Sequence, residues 1–275
     1  MPELPEVETV RHHLAPALEG AEILRATIAD PRLTRPFAPE LVAAELEGER
    51  VTRVDRRGKY LLVRFESGRV LLVHLRMTGS FRSAPSGGLG EDPHRRAVLT
   101  LDNGSDVAYR DVRRFGTWEL LEPGEETPYL GVRLGPEPLG RGLSAAKLGE
   151  RLAGRRASLK AALLDQRTVA GLGNIYVDEA LWRARLHPLR QAGDLDAVEV
   201  RRLHKAVRDA LRLGIARQGS TLSTYALPDG ASGRMQDEFR VYGRAGEACD
   251  RCGSLLERLV VAGRGTTYCP RCQTR

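Results

Sequence analysis

The residues of this chain with the most pointed chemistry are its first ones, Pro2, Glu3 and Glu6. Loss of Met1, which a small second residue such as proline favours, would expose a secondary amine. An α-amino group titrates near pH ~8, so a useful fraction is neutral and nucleophilic under cell conditions. A secondary amine attacking a sugar C1′ collapses only to a cationic iminium. That cation is an electron sink, and it acidifies the neighbouring C2′ proton enough to permit elimination. Glu3 and Glu6, spaced by one helical turn, offer a proton shuttle beside it. The same residues equally suit the plain start of a helix, because Pro5 fits a first turn and Glu6 and Glu8 complement its positive end.

The four cysteines form a second constellation: Cys249-x2-Cys252, sixteen residues, then Cys269-x2-Cys272. Two close pairs a hairpin's length apart suit tetrahedral zinc held by four thiolates. Two disulfides are the plainer alternative but need an oxidising compartment, and an iron–sulfur cluster is the remaining rival. Four thiolates leave zinc no open position, so the ion is expected to be structural, and a ribbon this small should lose its fold without it.

Other candidates carry charge or bulk at predicted loops. Lys59 follows Gly58 at the start of a strand, where a cation projects from a turn or simply meets solvent. Asn174 follows Gly171-Leu172-Gly173, a tight turn into a helix whose free N–H groups suit a phosphate. Tyr176 stands where a dinucleotide fingerprint needs its third glycine, which excludes that motif. Residues 141–160 hold six basic side chains against Glu150 alone; Arg155 and Arg156 there read either as a polyanion-facing pair or as a solvated helix face. Met77, Arg113 and Phe115 each follow a predicted strand, so they are either wedges on loops or ordinary core and gap-filling residues.

These side chains need elements to hold them. Val7, Val10, Leu14 and Leu18 recur at helical spacing and predict a helix opening the chain. Residues 51–121 have strand texture: Tyr60 to Phe65 and Val70 to Leu75 flank Glu66-Ser67-Gly68 as a hairpin, and Val98 to Leu101 and Val107 to Tyr109 flank Asp102-Asn103-Gly104 as another. Ser83 to Pro93, rich in glycine and proline, reads as a mobile loop, and Gly131 to Gly142 as an interdomain linker. Helices are predicted from Ser144 to about Ala153, from Ser158 to Asp165, from Asn174 to Trp182 and from Leu195 to Ile215, the last with Val200, Leu203, Val207 and Leu211 on one stripe. Residues 219–235 read as loop.

Bulk properties agree with a protein that meets a polyanion. The 275 residues allow two or three domains. Lys and Arg number 43 against 36 Asp and Glu, a net charge of +7 with pI near 9.5, which favours a polyanionic partner without requiring one. No apolar run approaches the roughly 20 residues of a membrane helix, and the start is not that of a secretory signal. The cytoplasm is the expected compartment.

The segment Met1-Pro2-Glu3-Leu4-Pro5-Glu6-Val7-Glu8-Thr9-Val10 resembles the N-terminal signature of bacterial formamidopyrimidine-DNA glycosylases. The likeness continues in Arg57-Gly58-Lys59-Tyr60, His74-Leu75-Arg76-Met77-Thr78-Gly79, Arg113-Arg114-Phe115-Gly116, Gly171-Leu172-Gly173-Asn174-Ile175-Tyr176 and the cysteine ribbon, in the family's order across almost the whole chain. The resemblance implies an α+β multidomain protein: an N-terminal β-sandwich with an N-terminal helix (1–130), a linker (131–143), a helix–two-turn–helix domain with a lesion loop (144–235) and a zinc finger (236–275). It implies a monomeric bifunctional DNA-repair enzyme acting on damaged double-stranded DNA, one that excises 8-oxoguanine and formamidopyrimidines and cleaves the strand by β,δ-elimination, with one structural zinc and no organic cofactor.

By the same resemblance Pro2 is the Schiff-base nucleophile, Glu3 the acid–base catalyst and Glu6 a residue holding the site's geometry. Lys59 is assigned to β-elimination and a phosphate contact, and Arg264 grips a phosphate from the ribbon. Met77, Arg113 and Phe115 fill the void left by the extruded base. His74, His94, Arg155 and Asn174 contact DNA. Endonuclease VIII-type relatives, which prefer oxidised pyrimidines, open with glycine in place of Leu4 and lack the wedge formed by Arg113 and Phe115, so this chain sides with the purine enzymes. A DNA-binding protein without chemistry is the other alternative, opposed by the intact Pro2, Glu3 and Lys59. In the loop from Thr221 to Gln236, expected over the flipped base, Ala231 stands where the family often has lysine, which bears on lesion preference.

Overall fold

The computed structural model describes residues 1–221 and 232–275. They form two compact units, one of Met1–Leu130 with Gln218–Arg234, the other of Gly131–Arg217 with Met235–Arg275.

The first unit opens with helix α1 (Leu4–Leu18), whose buried stripe contains Val7, Val10, Leu14 and Leu18, as the spacing predicts. Strand β1 (Ile23–Ile28) and helix α2 (Pro39–Leu46) follow, in a stretch where the sequence pattern predicts no element. Both are short, and each earns its place through tertiary partners: β1 pairs along its length with a strand some 70 residues on, a contact invisible to local periodicity. Seven more strands complete the unit: β2 (Val51–Arg57), β3 (Tyr60–Phe65), β4 (Val70–His74), β5 (Gly79–Pro85), β6 (Arg95–Leu101), β7 (Ser105–Asp111) and β8 (Thr117–Leu121).

They assemble into two antiparallel four-stranded sheets, ordered β1-β6-β7-β5 and β2-β3-β4-β8. Leu61, Val63, Leu71 and Val73 of one sheet share a single core with Phe81, Leu99, Val107 and Tyr109 of the other and with the apolar stripe of α1. This is the expected α+β sandwich with its N-terminal helix. Both predicted hairpins form, β3 with β4 and β6 with β7. The expected mobile loop is shorter than the composition suggests, because Ser83, Ala84 and Pro85 continue β5 and pair with Val107, Asp106 and Ser105. Proline is tolerated there because β5 is the edge strand of its sheet. A short helix, α3 (Glu126–Gly131), ends this stretch of chain.

The second unit is helical. Helix α4 (Ala145–Leu152) is capped by Ser144 and α5 (Leu159–Leu164) by Ser158, each serine oxygen accepting a backbone N–H. Helix α6 (Asn174–Ala184) leads to α7 (Ala197–Ala216), which Asp196 and Glu199 close with a capping box. The glycine- and proline-rich stretch expected as a linker is anchored in this unit over part of its length: Leu134, Gly135 and Pro136 are buried, and Gly135 N–H donates to Gln166 at 2.8 Å. A two-stranded ribbon, β9 (Glu257–Val261) and β10 (Arg264–Tyr268), carries the cysteines.

One buried ion pair ties the ribbon to the helices. Lys160 of α5 is 0% exposed; its Nζ donates to Asp178 Oδ1 of α6 at 2.6 Å and to Thr266 Oγ1 of β10 at 2.7 Å. Burial pushes the Asp178 carboxyl up to about 7, against the downward pull of Lys160 and of the Thr267 N–H. Removing one partner of such a pair leaves a buried group uncompensated. Lys160→Ala is therefore expected to lower unfolding free energy by roughly 3–5 kcal/mol in denaturant titration, with Lys160→Met, which keeps the volume, costing less than Lys160→Ala.

Candidate active site and nucleic-acid contacts

In the first unit the start of α1 is a buried polar corner. Pro2, Glu3 and Glu6 are all buried. Glu6 is the third residue of the helix, so its side chain reaches back to the exposed N–H groups of the first turn: Glu3 N–H donates to Glu6 Oε2 at 2.9 Å. The other oxygen, Oε1, accepts Ser220 N–H at 2.8 Å and Ser220 Oγ–H at 3.3 Å. Gly219 makes this approach possible. Its φ is +75°, and a Cβ there would stand 2.7 Å from Glu6 Cγ. Ser220 and Gly219 could not be found from sequence, being more than 200 residues from Glu6 with no local motif. Met1 lines a cleft of about 650 Å³ together with Arg32, Arg35, Arg76, Met77, Arg114 and Phe115. The peptide nitrogen of Pro2 is bonded to Met1, so the amine exposed by removing Met1 opens where Met1 now lies, into that cleft.

Lys59 occupies the two-residue turn between β2 and β3, where Arg57 pairs with Tyr60 and Gly58 adopts φ 59°. It is largely buried and not the solvated lysine that its neighbourhood in sequence equally allows. Its ammonium is near enough to His74 to disfavour a second positive charge there. His74 ends β4, packs edge-on against Tyr60 with ring centroids 4.7 Å apart, and accepts Arg76 N–H on Nδ1 at 3.0 Å. Burial first, then Arg76 and Lys59, lower its pKa to about 3. The imidazole is thus neutral with its proton on Nε2, a hydrogen-bond donor that carries no charge.

The three wedge candidates lie on two loops of this unit that one carboxylate joins. Asp111, at the end of β7, accepts Thr78 Oγ–H and Arg113 N–H (3.2 Å) on Oδ1, and Gly116 N–H on Oδ2 at 2.7 Å. Arg113 N–H is shared with Thr78 Oγ1 at 2.9 Å. Gly116 is required here because a Cβ would meet the Tyr109 hydroxyl at 1.8 Å. Phe115 is 50% exposed, which removes the core-aromatic reading, and the Arg113 guanidinium lies 4.7 Å from its ring centre. Met77 is half-buried on the other loop. His94 is also half-buried, its Nδ1 3.5 Å from Arg96 Nη2.

In the second unit Asn174 bonds to the residue that follows Arg264. Asn174 Nδ2 donates to Gly265 O at 3.0 Å, and its buried Oδ1 has no hydrogen-bond partner among the described residues. Gly265 follows Arg264, which is exposed at the start of β10. Asn174, Tyr242, Arg258, Gly265 and Thr267 line a cavity of about 450 Å³. Arg155 is committed elsewhere: it donates to Arg151 O at 2.9 Å and to Asp165 Oδ2 at 3.2 Å, while Arg156 is the exposed member of that pair. Glu179, fully buried on α6, escaped the sequence reading. Its Oε1 accepts the N–H groups of Arg240, Val241 and Tyr242 at 2.9, 2.9 and 3.1 Å, fixing the segment that leads to the ribbon. Of the loop from Thr221 to Gln236, expected to cover an extruded base, residues 222–231 lie outside the described residues.

Cys249, Cys252, Cys269 and Cys272 are unbridged, and their sulfurs all lie within 4.8 Å of one another. Zinc–sulfur bonds of about 2.3 Å in a tetrahedron set sulfurs about 3.8 Å apart, so the four fit one zinc ion with its coordination filled. Trp182 Nε1–H points at Cys249 Sγ (3.5 Å) and Cys272 N–H at Cys269 Sγ (3.3 Å), donors that stabilise thiolate charge. The site is structural. Among the described residues no helix is long and apolar enough to cross a membrane.

Family models match three stretches of the chain: the formamidopyrimidine-DNA glycosylase N-terminal domain over residues 1–118, the H2TH domain of the same enzymes over 134–226, and a zinc finger found in FPG and IleRS over 246–275. A formamidopyrimidine-DNA glycosylase of Symbiobacterium thermophilum is 48% identical over 99% of this chain and 89% of its own length. Among solved structures, a variant of the Lactococcus lactis protein in complex with Fapy-dG containing DNA matches with a TM-score of 0.93 and 38% identity, covering both chains fully. The wild-type Lactococcus lactis protein with an oxidised-pyrimidine containing DNA matches with a TM-score of 0.92 at the same identity and coverage.

The state of His74 can be read directly. Its ¹⁵N resonances should show the neutral Nε2–H tautomer unchanged from pH 8 to pH 5. The unfolded chain takes up that proton near pH ~6.5 and the folded one only near 3. His74 therefore favours the unfolded state as pH falls through this window. A titration of His74 with its midpoint near pH ~6.5 would contradict the neutral-donor assignment.

Proposed function

Because the chain belongs to the formamidopyrimidine-DNA glycosylase family, we propose that it removes oxidised purines, 8-oxoguanine and formamidopyrimidines, from duplex DNA and then cuts the strand, with Pro2 as the nucleophile. The observation that carries this reading is the start of α1: a buried Pro2 beside two buried carboxylates, with Met1 lining the same cleft as Met77 and Phe115.

The Pro2 nitrogen, once free, attacks C1′ of the damaged nucleotide. The glycosidic electron pair leaves with the base, which takes up the proton that the Pro2 nitrogen sheds. Glu3 delivers a proton to the ring oxygen as the sugar opens, leaving an iminium between Pro2 and C1′. Loss of the C2′ proton then expels the 3′ phosphate, and a second elimination expels the 5′ phosphate. Water finally hydrolyses the iminium and returns the amine. Glu6 acts by position: saturated by Glu3 and Ser220, it holds the first turn under the nucleophile. Lys59 serves the elimination and a flanking phosphate, and His74 and His94 contact the backbone.

Arg113, Phe115 and Met77 fill the hole in the stack. Extruding a base costs a few kcal/mol, and an exposed aromatic ring under a guanidinium is suited to replacing its stacking. Asn174 and Arg264 grip phosphate from the helical unit. Arg155, already paired with Asp165, is the weaker candidate for that task, and Arg156 the better placed. In this assignment residues 1–130 perform the chemistry, 144–235 and 236–275 hold the duplex, and 131–143 connect them, except that 218–234 pack with the catalytic unit and serve it. The zinc ion supplies only the fold of the ribbon. We place the protein in the bacterial cytoplasm, with the nucleoid, as a monomer; the relatives it matches are bacterial.

A second reading has one observation behind it, the Lactococcus lactis relative solved with oxidised-pyrimidine DNA. Excision rates on a panel of oxidised purines and pyrimidines separate the two, and the purine lesions are expected to be cut faster. For the nucleophile, borohydride reduces the iminium to a stable crosslink. Wild-type protein should become covalently bound to 8-oxoguanine DNA, whereas protein with one extra residue left ahead of Pro2 should bind DNA without crosslinking. Persistent crosslinking by the extended protein would remove Pro2 from the mechanism.

A further inference from the structure

Among the described residues, five other than glycine have left-handed backbone, and two of them, Arg76 (φ 53°) and Arg114 (φ 59°), sit in the loops that carry Met77, Arg113 and Phe115. A residue with a Cβ persists in that conformation only where its surroundings enforce it. For Arg114 the enforcing contact is Asp30. Arg114 Nε donates to Asp30 Oδ2 at 2.6 Å and Nη2 to Oδ1 at 2.7 Å, a two-pronged pair spanning 84 residues of sequence. Asp30 is 3% exposed, just beyond the end of β1. Its Oδ1 also accepts Arg32 N–H at 3.1 Å, and Arg96 Nε stands 4.0 Å from Oδ2. Arg114 holds the Asp30 carboxyl below the usual carboxylate range, so the pair is charged at neutral pH.

Arg114 stands between Arg113 and Phe115. Its own side chain is drawn to Asp30, and its two neighbours meet, guanidinium over ring. Asp111 anchors this loop through backbone N–H groups at Arg113 and Gly116, on either side of Arg114, but makes no hydrogen bond to Arg114 itself; the Arg114 side chain is held by Asp30.

We propose that Asp30 is a positioning residue for base extrusion, its two-pronged bond holding Arg114 left-handed so that Arg113 and Phe115 stand preformed as one wedge. The inference rests on the wedge role given to Phe115 above. A preformed wedge enters the stack without first having to order its own loop, and that ordering is the cost a missing clamp would add to extrusion.

The test compares two single-turnover rates of the full-length protein: excision of 8-oxoguanine paired with cytosine in a duplex, and cleavage at an abasic site in a single strand, where there is no stacked base to extrude. The readout is their ratio. Lost stability lowers both rates together and leaves the ratio alone. Asp30→Asn, which keeps the shape but not the charge, should lower the ratio about tenfold. Arg114→Gly should lower it similarly, and glycine is at ease at this φ, so that variant keeps its backbone unstrained while losing the bond. Phe115→Ala runs alongside. If Phe115→Ala lowers the ratio but either clamp variant stays within about twofold of the parent, the proposal is overturned. If Phe115→Ala itself leaves the ratio unchanged, the wedge reading has failed and this inference falls with it.

Discussion

A single carboxylate holds the catalytic end of this protein in place. Glu6 is 2% exposed, and a buried carboxylate is tolerable only when its oxygens are saturated with donors. Oε2 is taken by the Glu3 N–H and Oε1 by Ser220, through both its N–H and its hydroxyl. The first bond caps the helix that Pro2 introduces. The second fastens residues 218–221, which return to this unit from far along the sequence, directly beneath it. The nucleophile, its acid–base neighbour and the start of the loop expected to cover the base therefore share one polar anchor. A Cβ at Gly219 would push into the Glu6 side chain, so this anchor depends on glycine at that position.

The wedge loops obey the same logic. Asp111 is buried and its oxygens are filled by Thr78, Arg113 and Gly116, binding the loop of Met77 to the loop of Phe115. A buried acceptor at a strand end keeps these backbone donors fixed while the side chains reach outward. Glu179 in the helical unit fixes backbone donors with one oxygen only: Oε1 gathers three consecutive N–H groups of residues 240–242, while its buried Oε2 has no hydrogen-bond partner among the described residues.

Much of this was legible in the sequence, and the boundary between legible and hidden has a physical cause. The first helix, both hairpins and the capped helices follow from periodicity and turn chemistry, which are local. The cysteine spacing sufficed for a tetrahedral thiolate site. β1 was hidden because its pairing partner is distant in the chain, and α2 because it forms against β1. The same holds for Ser220 under Glu6, Asp30 against Arg114 and Asp178 against Lys160: each is an ordinary polar residue whose meaning appears only when the fold supplies its partner. Phe115 and Lys59 lay between these cases. Their types admitted two readings, and burial decided both, leaving the aromatic ring half in solvent and the lysine nearly out of it. Arg155 went the other way, since the basic run suggested an outward cation and the fold turned it toward Asp165.

The central claim concerns one bond, between the ring nitrogen of Pro2 and C1′ of the damaged sugar. Peptide mapping by mass spectrometry of the borohydride-reduced protein–DNA adduct tests it most directly. The account predicts that the sugar remnant sits on the peptide that begins at Pro2, with Met1 absent. A remnant on Lys59 or any other side chain, or an adducted peptide that still carries Met1, would contradict it.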